Sequence, residues 1–146
     1  MKHTTYINPN REEEVMIYAR KRTSKIDLLE AYIEGLDREI LGYGRDGQIL
    51  PLCPDEVHCF IVEDGKVYAL TETGKWMIRQ PLYAIEETAG PDFVRINQSC
   101  LGNIRKISCF NASIGGALMV TFKNGHRDYV SRRQLKIVKE RMKMKL

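Results

Sequence analysis

Apolar and polar residues alternate with a period of two along most of this chain, and with a helical period in only three places. Cys59-Phe60-Ile61-Val62 and Lys66-Val67-Tyr68-Ala69-Leu70 flank a turn at Glu63-Asp64-Gly65, and Gly74 sets off Lys75-Trp76-Met77-Ile78. Phe93–Ile96, Lys106–Phe110, Ala117–Phe122 and His126–Val130 are further strand-like runs, the middle two parted by Gly115-Gly116 and the last entered through Asn124-Gly125. Asp46-Gly47 marks another hairpin between Tyr43–Arg45 and Gln48–Leu50. Asn-Gly and Asp-Gly favour such turns because both residues tolerate a positive φ. At the N-terminus, Thr4–Ile7 and then Val15, Ile17 and Ala19, alternating with Met16, Tyr18 and Arg20, predict two short strands joined through Asn8-Pro9-Asn10.

The helical stretches carry single apolar stripes. Ile26, Leu29, Ile33, Leu36 and Ile40 recur at three and four residues behind a capping box of Ser24 and Asp27, and Gly42 and Gly44 are expected to end that helix. Pro81 suits the first turn of a helix carrying Leu82, Ile85 and Ala89, closed by Gly90-Pro91. Ser131 caps a last helix from Arg132, with Leu135, Val138 and Met142 on one side. The pattern predicts a mainly β fold: an antiparallel sheet with short helices over residues 45–146, preceded by a strand-strand-helix addition over residues 1–44. That addition is expected to be structural or signal-receiving.

Charge changes the picture. The net charge of +4 conceals a division along the chain: residues 93–146 hold twelve Lys/Arg against two Asp/Glu, whereas residues 41–92 hold four against nine. A basic third on an otherwise acidic chain suits a polyanion partner. No apolar run approaches the roughly 18 residues of a membrane span, and Met1–Tyr6 lacks a signal-peptide core, so a cytoplasmic location is expected.

Catalytic signatures are missing: the chain contains no phosphate-binding loop, nucleophile elbow or His-Glu-x-x-His zinc motif, and the pair Glu86-Glu87 reads as a solvated helix face. An enzyme is not expected, nor a cofactor or small-molecule substrate. Cys53, Cys59, Cys100 and Cys109 form no C-x-x-C pair and read as reduced thiols; zinc held by Cys53, His58 and Cys59 is disfavoured because neighbouring strand residues point to opposite faces.

What remains is basic and amide-rich. Arg95, Asn97, Gln98 and Ser99 follow a short strand, and Arg132, Arg133 and Lys136 open the last helix. Arginine bonds phosphate or guanine, Asn and Gln pair bidentately with adenine, and Ser donates to phosphate. Asn97 and Gln98 also suit a plain turn, a role in which they would touch no base.

Three separated segments carry a resemblance. Phe93-Val94-Arg95-Ile96-Asn97-Gln98-Ser99-Cys100-Leu101-Gly102-Asn103-Ile104-Arg105-Lys106-Ile107 is similar to the signature of LytTR domains, an aromatic-x-Arg strand leading to His-x-Ser and an apolar-apolar-Asn turn. Phe122–Gly125 with Tyr129–Arg133 resembles the family's closing hairpin, and Cys59–Tyr68 its first strand pair. The resemblance spans roughly residues 45–146. It implies an elongated β fold whose loops and final helix enter successive major grooves of double-stranded DNA, with two copies, a homodimer on DNA, at imperfect direct repeats in a promoter. By position it places DNA contacts at Lys66, Asn97, Gln98 and Arg133. Asn97 replaces the family's common His and Gly102 its usual apolar residue, so base preference does not carry over. The residues ahead of the domain are too few for a receiver domain, which makes this resemble the stand-alone type; some of those are held inactive by a membrane protein. The alternative class is an RNA-binding or ribosome-associated β-domain, which exposed base-stacking aromatics would favour. A third is a protein-interaction module docking through the first helix.

Overall fold

The structure is a computed structural model that describes residues 1–36, 40–112 and 115–145. It contains α1 (Ser24–Leu36), β1 (Ile40–Tyr43), β2 (Ile49–Leu52), β3 (Val57–Glu63), β4 (Lys66–Thr71), β5 (Lys75–Ile78), α2 (Leu82–Thr88), β6 (Phe93–Asn97), β7 (Cys100–Asn103), β8 (Ile107–Ala112), β9 (Leu118–Phe122), β10 (Arg127–Val130) and α3 (Arg132–Lys145). Short 3-10 turns at Pro54–Glu56 and Ile104–Lys106 precede β3 and β8. All strand pairs are antiparallel, in a seven-stranded sheet ordered β2-β1-β5-β4-β3-β7-β6 and a three-stranded sheet ordered β10-β9-β8.

The centre of the large sheet is buried on both faces. On one side Val57, Phe60, Val67, Ala69, Phe93 and Leu101 pack with Leu82 and Ile85 of α2 and with Ala89 just after it. On the other, Cys59, Ile61, Val94, Ile96 and Cys100 meet Val120 and Phe122 of the small sheet and Val138 of α3. Strand β3 lies between the two cores, which explains its unbroken apolar run: successive side chains alternate faces, and here both faces are dry. Leu135 and Met142 pack beside Val138 as the helical stripe predicts. No helix among the described residues is long and apolar enough to cross a membrane.

The structure departs from the sequence pattern mostly at the N-terminus. The strands expected over Thr4–Ile7 and residues 15–20 do not form, and neither segment joins a sheet. Thr23, not Ser24, stands before α1: the Ile26 N–H donates to the Thr23 carbonyl at 3.1 Å and reaches its Oγ1 at 3.4 Å. Ile40 and Gly42, expected at the end of that helix, belong to β1, where Ile40 enters the core. Within α1 the stripe faces inward: Ile26 is buried and Leu29 and Ile33 are half-buried. Strand β7 forms at Cys100–Asn103, where the pattern predicts no strand.

Candidate nucleic-acid interface

Three chain segments meet at one end of the large sheet. The first is the β3–β4 hairpin, closed by Asp64 and Gly65 with φ of 52° and 75°, both in the left-handed region that this tight turn demands. Lys66 opens β4 and is exposed, while Glu63 on β3 is paired with Lys75 at 2.9 Å.

The second is the two-residue turn between β6 and β7. Asn97 is 2% exposed, and its amide is engaged on every side. Its Nδ2 donates to Asp128 Oδ1 and to the Tyr129 carbonyl, each at 2.8 Å, and its Oδ1 accepts from the Ser99 N–H at 2.8 Å. Arg95 clamps the same turn: Nη1 donates to the Gln98 carbonyl at 3.0 Å, while Nε and Nη2 hold Glu86 of α2 at 2.9 and 2.6 Å. The Ser99 carbonyl accepts from the Val62 N–H at 2.9 Å, tying the turn to the end of β3. With the backbone fastened this way, only the side chains of Gln98 and Ser99 face solvent.

The third is the start of α3. The Ser131 N–H donates to the Ile96 carbonyl at 3.1 Å, which sets the helix entrance against β6. Arg132, Arg133, Lys136 and Lys139 lie exposed along α3, whereas Arg141 donates to the Pro91 carbonyl and fastens the helix to the turn before β6.

Asp128 organises this corner. Burial pushes its carboxyl up, but His126, the Tyr129 N–H, Asn97 and Cys100 together outweigh burial and hold it below the usual carboxylate range. The anion therefore persists beneath the turn and orients Asn97. Nothing local in the sequence points to this role, since Asp128 follows Asn97 only after 31 residues.

The residues singled out from the sequence thus divide. Lys66, Gln98, Ser99, Arg132, Arg133 and Lys136 are exposed; Asn97 is buried with its amide fully engaged, and Arg95 is committed to Glu86 and the turn. A buried amide with no free donor has nothing to offer a base edge, so both residues hold the turn in place. Glu86, read as part of a solvated face, is the counter-ion of that clamp. The thiols have structural settings: Cys59 and Cys100 are buried side by side, and the contact with Cys59 together with burial drives the Cys100 thiol well up. His58 accepts the Asn124 N–H on Nδ1 at 3.2 Å. Of the aromatics that would stack on RNA bases, Phe60, Phe93 and Phe122 are buried, and Tyr68, Trp76 and Phe110 partly so.

Residues 47–143 match the family model described as the LytTr DNA-binding domain. Two uncharacterised HTH-type transcriptional regulators of Staphylococcus aureus, from strains NCTC 8325 and N315, are each 30% identical over 145 residues, covering 97% of this chain and 98% of the relative. The LytTr DNA-binding domain of a methyl-accepting/DNA response regulator from Bacillus cereus superposes with a TM-score of 0.65 at 20% identity, over 71% of this chain and 95% of that one. Despite the relatives' description, strands separate all three helices described here, so no helix follows another through a short turn.

Proposed function

This chain belongs to the LytTr DNA-binding domain family, and from that premise we propose that it is a sequence-specific transcription regulator that reads repeated sites in promoter DNA. The observation that carries this reading is the Gln98–Ser99 turn: its backbone is held by buried hydrogen bonds while its side chains stand out, between Lys66 on one flank and the start of α3 on the other.

The roles follow from reach and geometry. Gln98 offers an amide to a base edge in the major groove, where each base pair shows a distinct set of donors and acceptors. Arg133 has the planar fork that matches guanine bidentately. Lys66, Ser99, Arg132 and Lys136 meet phosphates, which set register and affinity without reading sequence. Asn97 and Arg95 are positioning residues that present Gln98. The sheet and α3 form the DNA-binding unit, and the N-terminal residues lie outside it.

Selection of bound sequences from a random duplex pool tests this. The expected result is a short motif enriched in two copies on the same strand. An unenriched pool, or better competition by single-stranded RNA than by duplex DNA, would overturn it.

A further inference from the structure

Residues 12–22 run Glu-Glu-Glu-Val-Met-Ile-Tyr-Ala-Arg-Lys-Arg: three acids, five apolar residues, three bases. The central residues have the composition of a strand, yet the segment joins neither sheet. Val15 and Met16 are each 61% exposed and Tyr18 is 86% exposed. Ile17 and Ala19 line a shallow cavity with Ile26 and Glu30 of α1, so one face of the segment is turned toward that helix. Arg22 anchors its end, donating to Asp27 at 2.7 Å and to Glu30 at 3.0 and 3.1 Å. A local preference for strand that the single chain leaves unmet is a conflict that a partner can resolve.

The charge order says which partner. Laid antiparallel on an identical segment about a two-fold axis through Ile17, Glu14 falls opposite Arg20, Glu13 opposite Lys21 and Glu12 opposite Arg22. In the same register Val15 meets Ala19 and Met16 meets Tyr18. A parallel, in-register pairing would set like charges against like. Directly opposite residues are the pairs that stabilise or oppose a sheet, so the order selects the antiparallel arrangement. We propose that residues 12–22 form an antiparallel strand pair with the same segment of a second copy of this chain, making an isologous dimer. A two-stranded ribbon is marginal in water unless something covers a face; here α1 of each copy lies against it. The surface pair of Arg11 with Glu14, at 2.6 Å and well exposed, gives way at little cost. The dimer goes beyond the proposed function: it joins two copies of the free chain, and its two-fold symmetry does not carry over to sites repeated on one DNA strand.

Sedimentation velocity on the full chain without DNA tests it, so that failure of DNA recognition and failure of the dimer are told apart. The wild type is compared with Glu13→Lys/Glu14→Lys and with Arg20→Glu/Lys21→Glu, at an ionic strength of about 0.1 M or less, where exposed charges still interact. All four positions are exposed, so both variants keep the fold, which circular dichroism verifies. The wild type is expected at twice the 16.9 kDa chain mass, each variant alone at the monomer mass, and their equimolar mixture again at the dimer mass. A monomeric wild type, either variant dimerising alone like the wild type, or a mixture that stays monomeric would overturn the proposal.

Discussion

Asn97 and Gln98 are neighbours with nearly the same chemistry and opposite environments, and substitution separates their roles. Asn97→Ala removes three hydrogen bonds and takes a partner from Asp128, from the Tyr129 carbonyl and from the Ser99 N–H in a partly buried place. The expected loss is about 2–4 kcal/mol, read from the urea midpoint, since stranded buried groups cost more than the bonds are worth net. Gln98→Ala touches nothing inside the protein and is expected to leave that midpoint unchanged. Gly102 makes a different demand. A Cβ there would stand 2.9 Å from both Ile96 Cγ1 and Phe122 Cζ, closer than carbon atoms approach. Gly102→Ala should therefore destabilise by about 1–3 kcal/mol through overpacking, measured in the same urea titration. The contacts also explain why the apolar residue common at this place in the family is replaced: Ile96 and Phe122 already fill the space.

Among the elements, those with their own turn chemistry were legible in the sequence. The hairpins at Asp46-Gly47, Asp64-Gly65 and Asn124-Gly125 form because the turn residues impose the reversal, and the strands on either side follow. Strand β7 was not legible, since Cys100–Asn103 is buried throughout and shows no alternation. The residues before α1 mislead in the opposite way: alternation describes a strand but cannot supply the edge it pairs with. The corner where β10 meets β6 rests on contacts between distant residues, and so does the joint of β3 with the β9–β10 hairpin through His58. Burial, with Lys106 and Lys123 nearby and Glu72 opposing, pulls His58 below the ordinary histidine pKa of 6.5. A depressed folded-state pKa means that unfolded chains bind the proton first. The contribution is therefore whole above about pH 6.5 and disappears as pH falls through the lower folded value. Protonation also turns Nδ1 from acceptor to donor, facing the Asn124 N–H. Urea midpoints taken between pH 7.5 and pH 5.5 (about one unit either side of the free value) should fall with acidity, and His58→Gln should flatten that slope.

For the molecule as a whole, the proposed DNA interface is one end of the large sheet, and the N-terminal segment takes no part in it. The sheet starts at Ile40, because β1 pairs with both β2 and β5. A fragment of residues 40–146 keeps that strand and should bind one repeat as the full chain does, in a fluorescence titration on a half-site duplex; a folded fragment without affinity would move the interface to the N-terminus. The basic third of the chain pointed to a polyanion, but the division of labour within it was hidden, since Arg95 and Arg141 look like the other arginines until Glu86 and Pro91 are seen beside them. The central claim is that Gln98 and Arg133 read bases while Lys66, Ser99, Arg132 and Lys136 meet phosphates. Its most direct measurement is the ratio of affinities for the selected site and for random duplex, determined for the wild type, Gln98→Ala, Arg133→Ala and Lys136→Ala at several salt concentrations. Gln98→Ala and Arg133→Ala are each expected to lose about 1–3 kcal/mol on the selected site and far less on random DNA. Lys136→Ala is expected to weaken both alike and to lower the salt slope by about one unit. An unchanged ratio in both Gln98→Ala and Arg133→Ala would contradict it.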